Sequence, residues 1–283
     1  MGHAEEMTAP DVVMRHVEEV MGTMATITIV GGGLDGKTVQ RALAESCGVL
    51  HDADAVFSTW KAESPMSMIR RGELDVALAP DVVRDVLVLC EQARRDTAGW
   101  FDPWAMPGGV DPTGLVKGWA VERACNVLIQ AGVAGAMVNA GGDIAVSGIA
   151  PPDSSGGSAE VQGDRSPWRV GIAHPWRTDA VALVVQIGGR AGIGGGVATS
   201  GTYERGAHLF DPWSRQPRCS LASATVIGPS LAMADAYATA LAVGGDRVLA
   251  APWRAHGEYE AYLIRRDGSE LATPGVVTWD RGD

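Results

Sequence analysis

The chain has 283 residues, 46% hydrophobic and 20% charged, which is enough to bury a substantial core as one large domain or as two intimately packed lobes. A formal charge of −11 argues against nucleic acid held by broad phosphate neutralisation, while leaving room for a local anion site built around a cation. No apolar run reaches membrane-spanning length, and no basic segment leads into a long apolar core in the first thirty residues. The expectation is therefore a cytoplasmic protein without membrane insertion.

In chain order, residues 15–20 and 23–30 read as two extended segments on either side of Met21-Gly22-Thr23. From Lys37 the period changes to Val39, Leu43, Cys47, Leu50 and Phe57, a helix that runs into Ser58-Thr59-Trp60. A shorter helix follows, with Ser64 as its cap, Pro65 at its first position and Gly72 beyond its end. Residues 80–98 form another amphipathic helix stopped by Gly99, and residues 100–104 read as a strand end and turn. Asp111-Pro112-Thr113-Gly114 opens a helix to about residue 131, and residues 134–140 form a buried strand leading into Gly141-Gly142. Residues 1–10 read as disordered and 151–166 as an exposed loop. Strands resume at 168–174, 181–187, 197–201, 208–210 and 220–228. A helix over 229–243 and a strand pair turning at Asp267-Gly268 close the chain. Strands cluster between helices rather than alternating with them, which favours α+β over a doubly wound parallel sheet.

The four cysteines, Cys47, Cys90, Cys125 and Cys219, form no C-x-x-C pair. The first three fall in helical patterns as buried free thiols. The sharpest chemical signal is the late helix, where Asp235 and Thr239 stack one turn apart on a face whose neighbours are apolar. A buried carboxylate needs compensation. Two solutions stay open: an ion pair or loop cap, or a pair of hard oxygens suited to Mg²⁺ that keeps its waters and gains phosphate oxygens.

The Asp111–Gly114 turn presents free N–H groups and a positive dipole end, and Lys117 adds a point charge for an anion. Taken alone it is an ordinary helix start. Asn139-Ala140-Gly141-Gly142-Asp143 is most often a hairpin turn, or a place where a flat ligand reaches the backbone. His208 in His208-Leu209-Phe210-Asp211-Pro212 is by default a satisfied surface histidine. Trp60, Trp100 and Trp104 could stack on a ring, although core packing is the commoner role.

Together these pieces resemble one family. The motifs at 21–23 (MGT), 57–67 (FSTWKAESPMS), 99–105 (GWFDPWA), 111–124 (DPTGLVKGWAVERA), 138–144 (VNAGGDI), 198–205 (ATSGTYER), 208–212 (HLFDP) and 234–241 (ADAYATAL) occur in the order of the ApbE-type FAD:protein FMN transferases. The resemblance implies a T-fold-like, two-lobed α+β architecture with mixed or antiparallel sheets and an FAD cleft between the lobes. It implies Mg²⁺ ligands at Asp235, Thr239 and the Gly114 carbonyl. The FAD site would be lined by Met21, Ser58, Thr59, Trp60, Trp104, Ala105, Met106, Asp111, Lys117, His208 and Leu209. Catalytic roles fall to Asp235 and to His208, the latter activating the acceptor hydroxyl.

Members attach FMN through a phosphoester to a Thr or Ser of a target flavoprotein and release AMP. The alternatives are hydrolysis of FAD to FMN and AMP, or flavin binding without chemistry. This sequence carries Glu122 where the family usually has Asp and Thr202 where it often has Asp. Only residues 107–110 separate Phe101–Met106 from Asp111–Gly114, where many members have a longer segment.

Overall fold

The computed structural model describes residues 13–151, 167–188, 194–201 and 209–278. The expected disordered start, residues 152–166 of the exposed loop, Thr202 and His208 lie outside them.

Strands β1 (Val13–Val20) and β2 (Thr23–Val30) form the first hairpin. Its two turn residues, Met21 and Gly22, both have positive φ, the backbone that matches the twist of the strands they join. Helix α1 (Gly36–Phe57) starts where the Asp35 side chain accepts from the N–H groups of Lys37 and Thr38. The short α2 (Pro65–Arg70) starts where the Ser64 hydroxyl accepts from the Ser67 N–H. Helix α3 (Asp81–Asp96) ends as expected before Gly99, whose φ is +84°. Residues 100–104 form no strand. Asp102 instead caps a 3₁₀ turn, Pro103–Ala105, by accepting from the Trp104 N–H.

Helix α4 (Thr113–Gln130) is followed by the hairpin of β3 (Gly135–Ala140) and β4 (Asp143–Gly148). Then come β5 (Trp168–Ala173), β6 (Val181–Ile187), β7 (Gly195–Gly201), β8 (Phe210–Asp211), β9 (Gln216–Pro217) and β10 (Leu221–Gly228). Helix α5 (Leu231–Gly244) runs into two 3₁₀ segments, Gly245–Ala250 and Pro252–His256, that no sequence period announces. The hairpin of β11 (Glu260–Arg265) and β12 (Glu270–Ala272) follows.

Eight strands make one sheet in the order β1-β2-β3-β4-β7-β10-β11-β12, with every pairing antiparallel. The α+β expectation holds, and among the described residues no parallel pair makes the sheet mixed. Alternation along each strand divides two cores. On one face Ile27, Ile29, Val138, Ala145, Ala198 and Val226 pack against the helices. On the other, Ile144, Val146, Val197 and Ile264 meet Trp168, Val170 and Val185 of the β5–β6 ribbon.

Helix α5 is buried at every position except Thr239, which is partly exposed. A helix with no polar side has no solvent face, and here α4, β7 and β10 enclose it. The single opening coincides with one of the two polar residues singled out from the sequence.

Candidate functional site

Two glycines one turn apart on α4, Gly114 and Gly118, let α5 come close. A Cβ at Gly118 would lie 2.5 Å from the Leu231 carbonyl oxygen and 3.0 Å from the Asp235 Cβ. A Cβ at Gly114 would lie 3.3 Å from Thr239 Oγ1 and 3.3 Å from the Phe101 ring. The approach has a chemical result. The Gly118 N–H donates to Asp235 Oδ2 at 3.1 Å, across the helix–helix joint. In a regular helix that N–H serves the carbonyl of Gly114, so that carbonyl competes with a carboxylate for its partner. A carboxylate and a hydroxyl thus stand against two successive turns of α4 where the two helices touch. Ser200 of β7 adds its hydroxyl, 3.3 Å from Thr239 Oγ1. All are hard oxygen donors, a set that suits Mg²⁺ better than a softer metal.

Beside this cluster runs an ion pair whose acid is buried and whose base is partly exposed. Lys117 Nζ is 2.9 Å from Oδ2 of Asp143, whose side chain is fully buried at the first position of β4. The other Asp143 oxygen accepts from the Thr199 N–H of β7 at 3.3 Å. Helix α4 begins at Thr113, so Lys117 stands a full turn inside it rather than at the dipole end, and its ammonium is directed to the sheet. Asp143 is the residue of this arrangement that sequence reasoning did not single out as part of a site. Its motif forms the expected hairpin, with Gly141 and Gly142 at positive φ and the Gly142 N–H donating to the Asn139 side chain. The acid after the double glycine was the signal that could have marked it. This hairpin lies against the first one: a Cβ on Gly141 would be 3.0 Å from Thr23 Oγ1. Met21 therefore sits at the same end of the sheet as Asp143.

The remaining residues implied by the resemblance have these positions. Ser58 caps the end of α1, with its hydroxyl accepting from the Trp60 and Lys61 N–H groups and its carbonyl accepting from Ser67. Thr59 lies in the turn so made, and Trp60 stands 92% exposed. Trp104 and Ala105 belong to the Pro103–Ala105 turn and Met106 follows it. Trp104 is 44% exposed, with the Arg94 guanidinium 6.0 Å from its ring. Core packing is thus wrong for both tryptophans: each ends a tight polar turn that points its indole away from the core. Trp100 differs, being partly buried edge-on against Trp213.

Asp111 accepts from the Thr113 N–H and hydroxyl and faces Arg70 at 3.3 Å, so it organises the turn before α4. Leu209 is buried, and its carbonyl accepts from the Arg218 N–H. Burial would raise the Asp211 carboxyl, but the Trp213 and Ser214 N–H groups and Arg218 outweigh it and hold the group below its ordinary value. Asp211 thereby fixes the turn Asp211–Ser214 that follows Leu209. Glu122, the atypical residue of the motif at 111–124, accepts from the Ser230 hydroxyl at 2.9 Å and the Ala232 N–H at 3.2 Å. It caps α5 from outside that helix.

All four cysteines are free thiols. Cys90 and Cys125 are buried, which pushes each up to about 12, whereas Cys47 is only half-buried, against expectation.

An antiparallel sheet backed by helices, with a cluster of oxygen side chains and a Lys–Asp pair at one end, defines an α+β protein. The sequence model of the ApbE family matches residues 105–263, more than half of the chain, and the chain belongs to that family. Among curated relatives, the FAD:protein FMN transferase of Klebsiella pneumoniae (strain 342) is 30% identical over 180 residues, covering 60% of this chain and 45% of its own. The FAD:protein FMN transferase of Rhodobacter capsulatus is 32% identical over 173 residues, covering 58% of this chain and 30% of its own. The chain thus spans less than half the length of these relatives. Among solved structures, the flavin transferase ApbE from Vibrio cholerae superposes with a TM-score of 0.75 at 21% identity, covering 94% of this chain and 98% of that one. The apo form of Pseudomonas stutzeri flavinyl transferase ApbE gives 0.72 at 24% identity, covering 94% and 96%. These likenesses establish the fold.

Proposed function

We propose that the protein is a Mg²⁺-dependent FAD:protein FMN transferase. The observation that carries this proposal is the close approach of α4 and α5, which sets Asp235 on the Gly118 N–H and Thr239 beside Gly114, in a chain of the ApbE family; Asp235, Thr239 and the Gly114 carbonyl are the ligand set. Those three would hold the cation, which when bound polarises the FAD pyrophosphate and offsets its charge. Every other part of the task falls to the chain's own groups. The buried Asp143 carboxylate fixes the Lys117 ammonium in place, so positive charge stands beside the phosphates without having to reorganise. Met21, the 58–60 turn, Trp104, Ala105, Met106, Asp111 and Leu209 would line the flavin nucleotide. The exposed indoles of Trp60 and Trp104 are available to stack on its rings.

The acceptor is a protein presenting a Thr or Ser hydroxyl. Its oxygen attacks the phosphorus on the FMN side, forming one P–O bond as the bond to AMP breaks, and its proton passes to His208. AMP leaves with the electron pair on its phosphate. Phosphoryl transfer of this kind is mostly positioning plus electrostatics, which suits a site made of fixed oxygens and one clamped ammonium.

The test is to incubate the protein with FAD, Mg²⁺ and a Thr-bearing acceptor domain, then measure AMP and the acceptor's mass. AMP together with a flavinylated acceptor is the expected result. AMP with free FMN would make the protein a pyrophosphatase, and neither product would leave only flavin binding. Normal AMP release by Asp235→Ala in saturating Mg²⁺ would overturn the metal assignment.

A further inference from the structure

A second group of metal-capable side chains lies where β1 meets α1, apart from the α4–α5 joint. His16 and Glu18 are two residues apart on β1, so both project from one face of the strand. Cys47 and His51 are four apart on α1 and share one stripe of the helix. Docking of the helix brings the two pairs together. His16 Nε2 is 2.9 Å from Glu18 Oε2, and His51 Nε2 is 2.8 Å from Glu18 Oε1. The ligand atoms of His16, Glu18 and Cys47 all lie within 4.8 Å of one another. An ordinary surface ion pair brings one base to one acid. Here an imidazole, a carboxylate and a thiol from two different elements meet at one half-buried point, and the exposed imidazole of His51 reaches it through Glu18.

We propose that His16, Glu18, Cys47 and His51 form a Zn²⁺ site that fastens β1 to α1. Two imidazoles, one thiolate and one carboxylate are the donor types of four-coordinate zinc, and sulfur with nitrogen discriminates against Mg²⁺ and Ca²⁺. Zinc bonds of about 2.0–2.3 Å place tetrahedral ligands roughly 3.3–3.8 Å apart. The spacing of His16, Glu18 and Cys47 is within about an ångström of that range, and His51 would swing in from the carboxylate it already contacts, each histidine exchanging its hydrogen bond to Glu18 for a bond to the metal. His16, Glu18 and Cys47 are each half-buried and His51 is the most exposed member, which leaves a path for the ion. This site stands on its own geometry and would survive failure of the transferase proposal.

Cobalt is the probe, because a thiolate bound to Co²⁺ gives a near-ultraviolet charge-transfer band that an all-oxygen site lacks. In excess Mg²⁺, the full chain is expected to bind one Co²⁺ with that band and with the visible intensity of tetrahedral coordination. Zn²⁺ should abolish both signals. Cys47→Ser removes the band, and His16→Ala weakens Zn²⁺ by more than the roughly 10–100-fold that loss of an outer-shell partner costs. The exposed His51→Gln, the change safest for folding, should also weaken Zn²⁺. Zn²⁺ raises the melting temperature of the parent chain and not that of Cys47→Ser. Absence of the band, or equal Zn²⁺ affinity in parent, Cys47→Ser and His51→Gln, would overturn the proposal.

Discussion

The α4–α5 joint and the β1–α1 joint both gather polar side chains between two elements, yet they are built in opposite ways. At the first, glycines strip one helix bare so that the other can come within reach of its backbone, and the donors are oxygens. At the second, ordinary spacing is kept and long side chains bridge the gap with nitrogen, sulfur and oxygen. Backbone proximity gives rigidity and hard chemistry, because neither a carbonyl nor a helix N–H can move without its helix. Side-chain bridging gives adaptability and borderline chemistry. The first suits a site where phosphates must be held in register, and the second suits a clip.

The largest separation between the joints comes from Asp235→Ala, which should abolish AMP release while leaving the Co²⁺ charge-transfer band of the β1–α1 joint unchanged. A band that vanished with it would show that the joints are not independent. Next is Lys117→Met. Removing the cation leaves Asp143 buried without its ion-pair partner, and loss of about 3–5 kcal/mol is expected by denaturant unfolding. Adding Asp143→Asn should recover part of that loss, a coupling that a double-mutant cycle reads directly.

Gly118→Ala forces a methyl against the Leu231 carbonyl and should cost about 1–3 kcal/mol with a lower kcat. An alanine on the solvent side of α1, at Gly48, where a Cβ would meet nothing within 4 Å, should not destabilise the fold. Glu122→Ala removes an N-terminal cap from α5 and should cost about 1 kcal/mol.

The smallest effect is one of pH. The Asp211 carboxyl is held below its ordinary value of 3.8 in the fold, so its stabilisation is complete above that value and is lost as pH falls through the lower folded one. The stability gap between the parent chain and Asp211→Asn should shrink over that acid range and be constant above about pH 5.

Much of this was legible in the sequence wherever a local rule governs. Ser64-Pro65, Gly72 and Gly99 mark helix ends by their own backbone chemistry, and the apolar run around Asp235 and Thr239 announces a buried helix. What escaped depends on partners distant in sequence. Glu122 meets Ser230 only through the packing of α4 on α5, and Asp143 meets Lys117 only when β4 lies under α4. The 3₁₀ segments after Gly244 carry no period to detect. Cys47 read as a core thiol because helical spacing shows which face it is on, not that Glu18 of a neighbouring strand stands opposite. His208 remains a sequence expectation, tied to the structure through Leu209 and Asp211.

Glu122 and Gly118 deserve to be considered as a pair. They are four residues apart on α4, and they grip α5 at Ala232 and Asp235, three residues apart. Two pins separated by one turn on each rod work as a gauge. A slip of α5 by a full turn would present new side chains to both pins and match neither, so the phase of the helix is indexed rather than merely packed. Glutamate at this position has one methylene more than the aspartate the family resemblance leads one to expect. The gauge in this chain is thus cut slightly longer, and shortening it with Glu122→Asp would show whether the position of the Asp235 carboxylate follows.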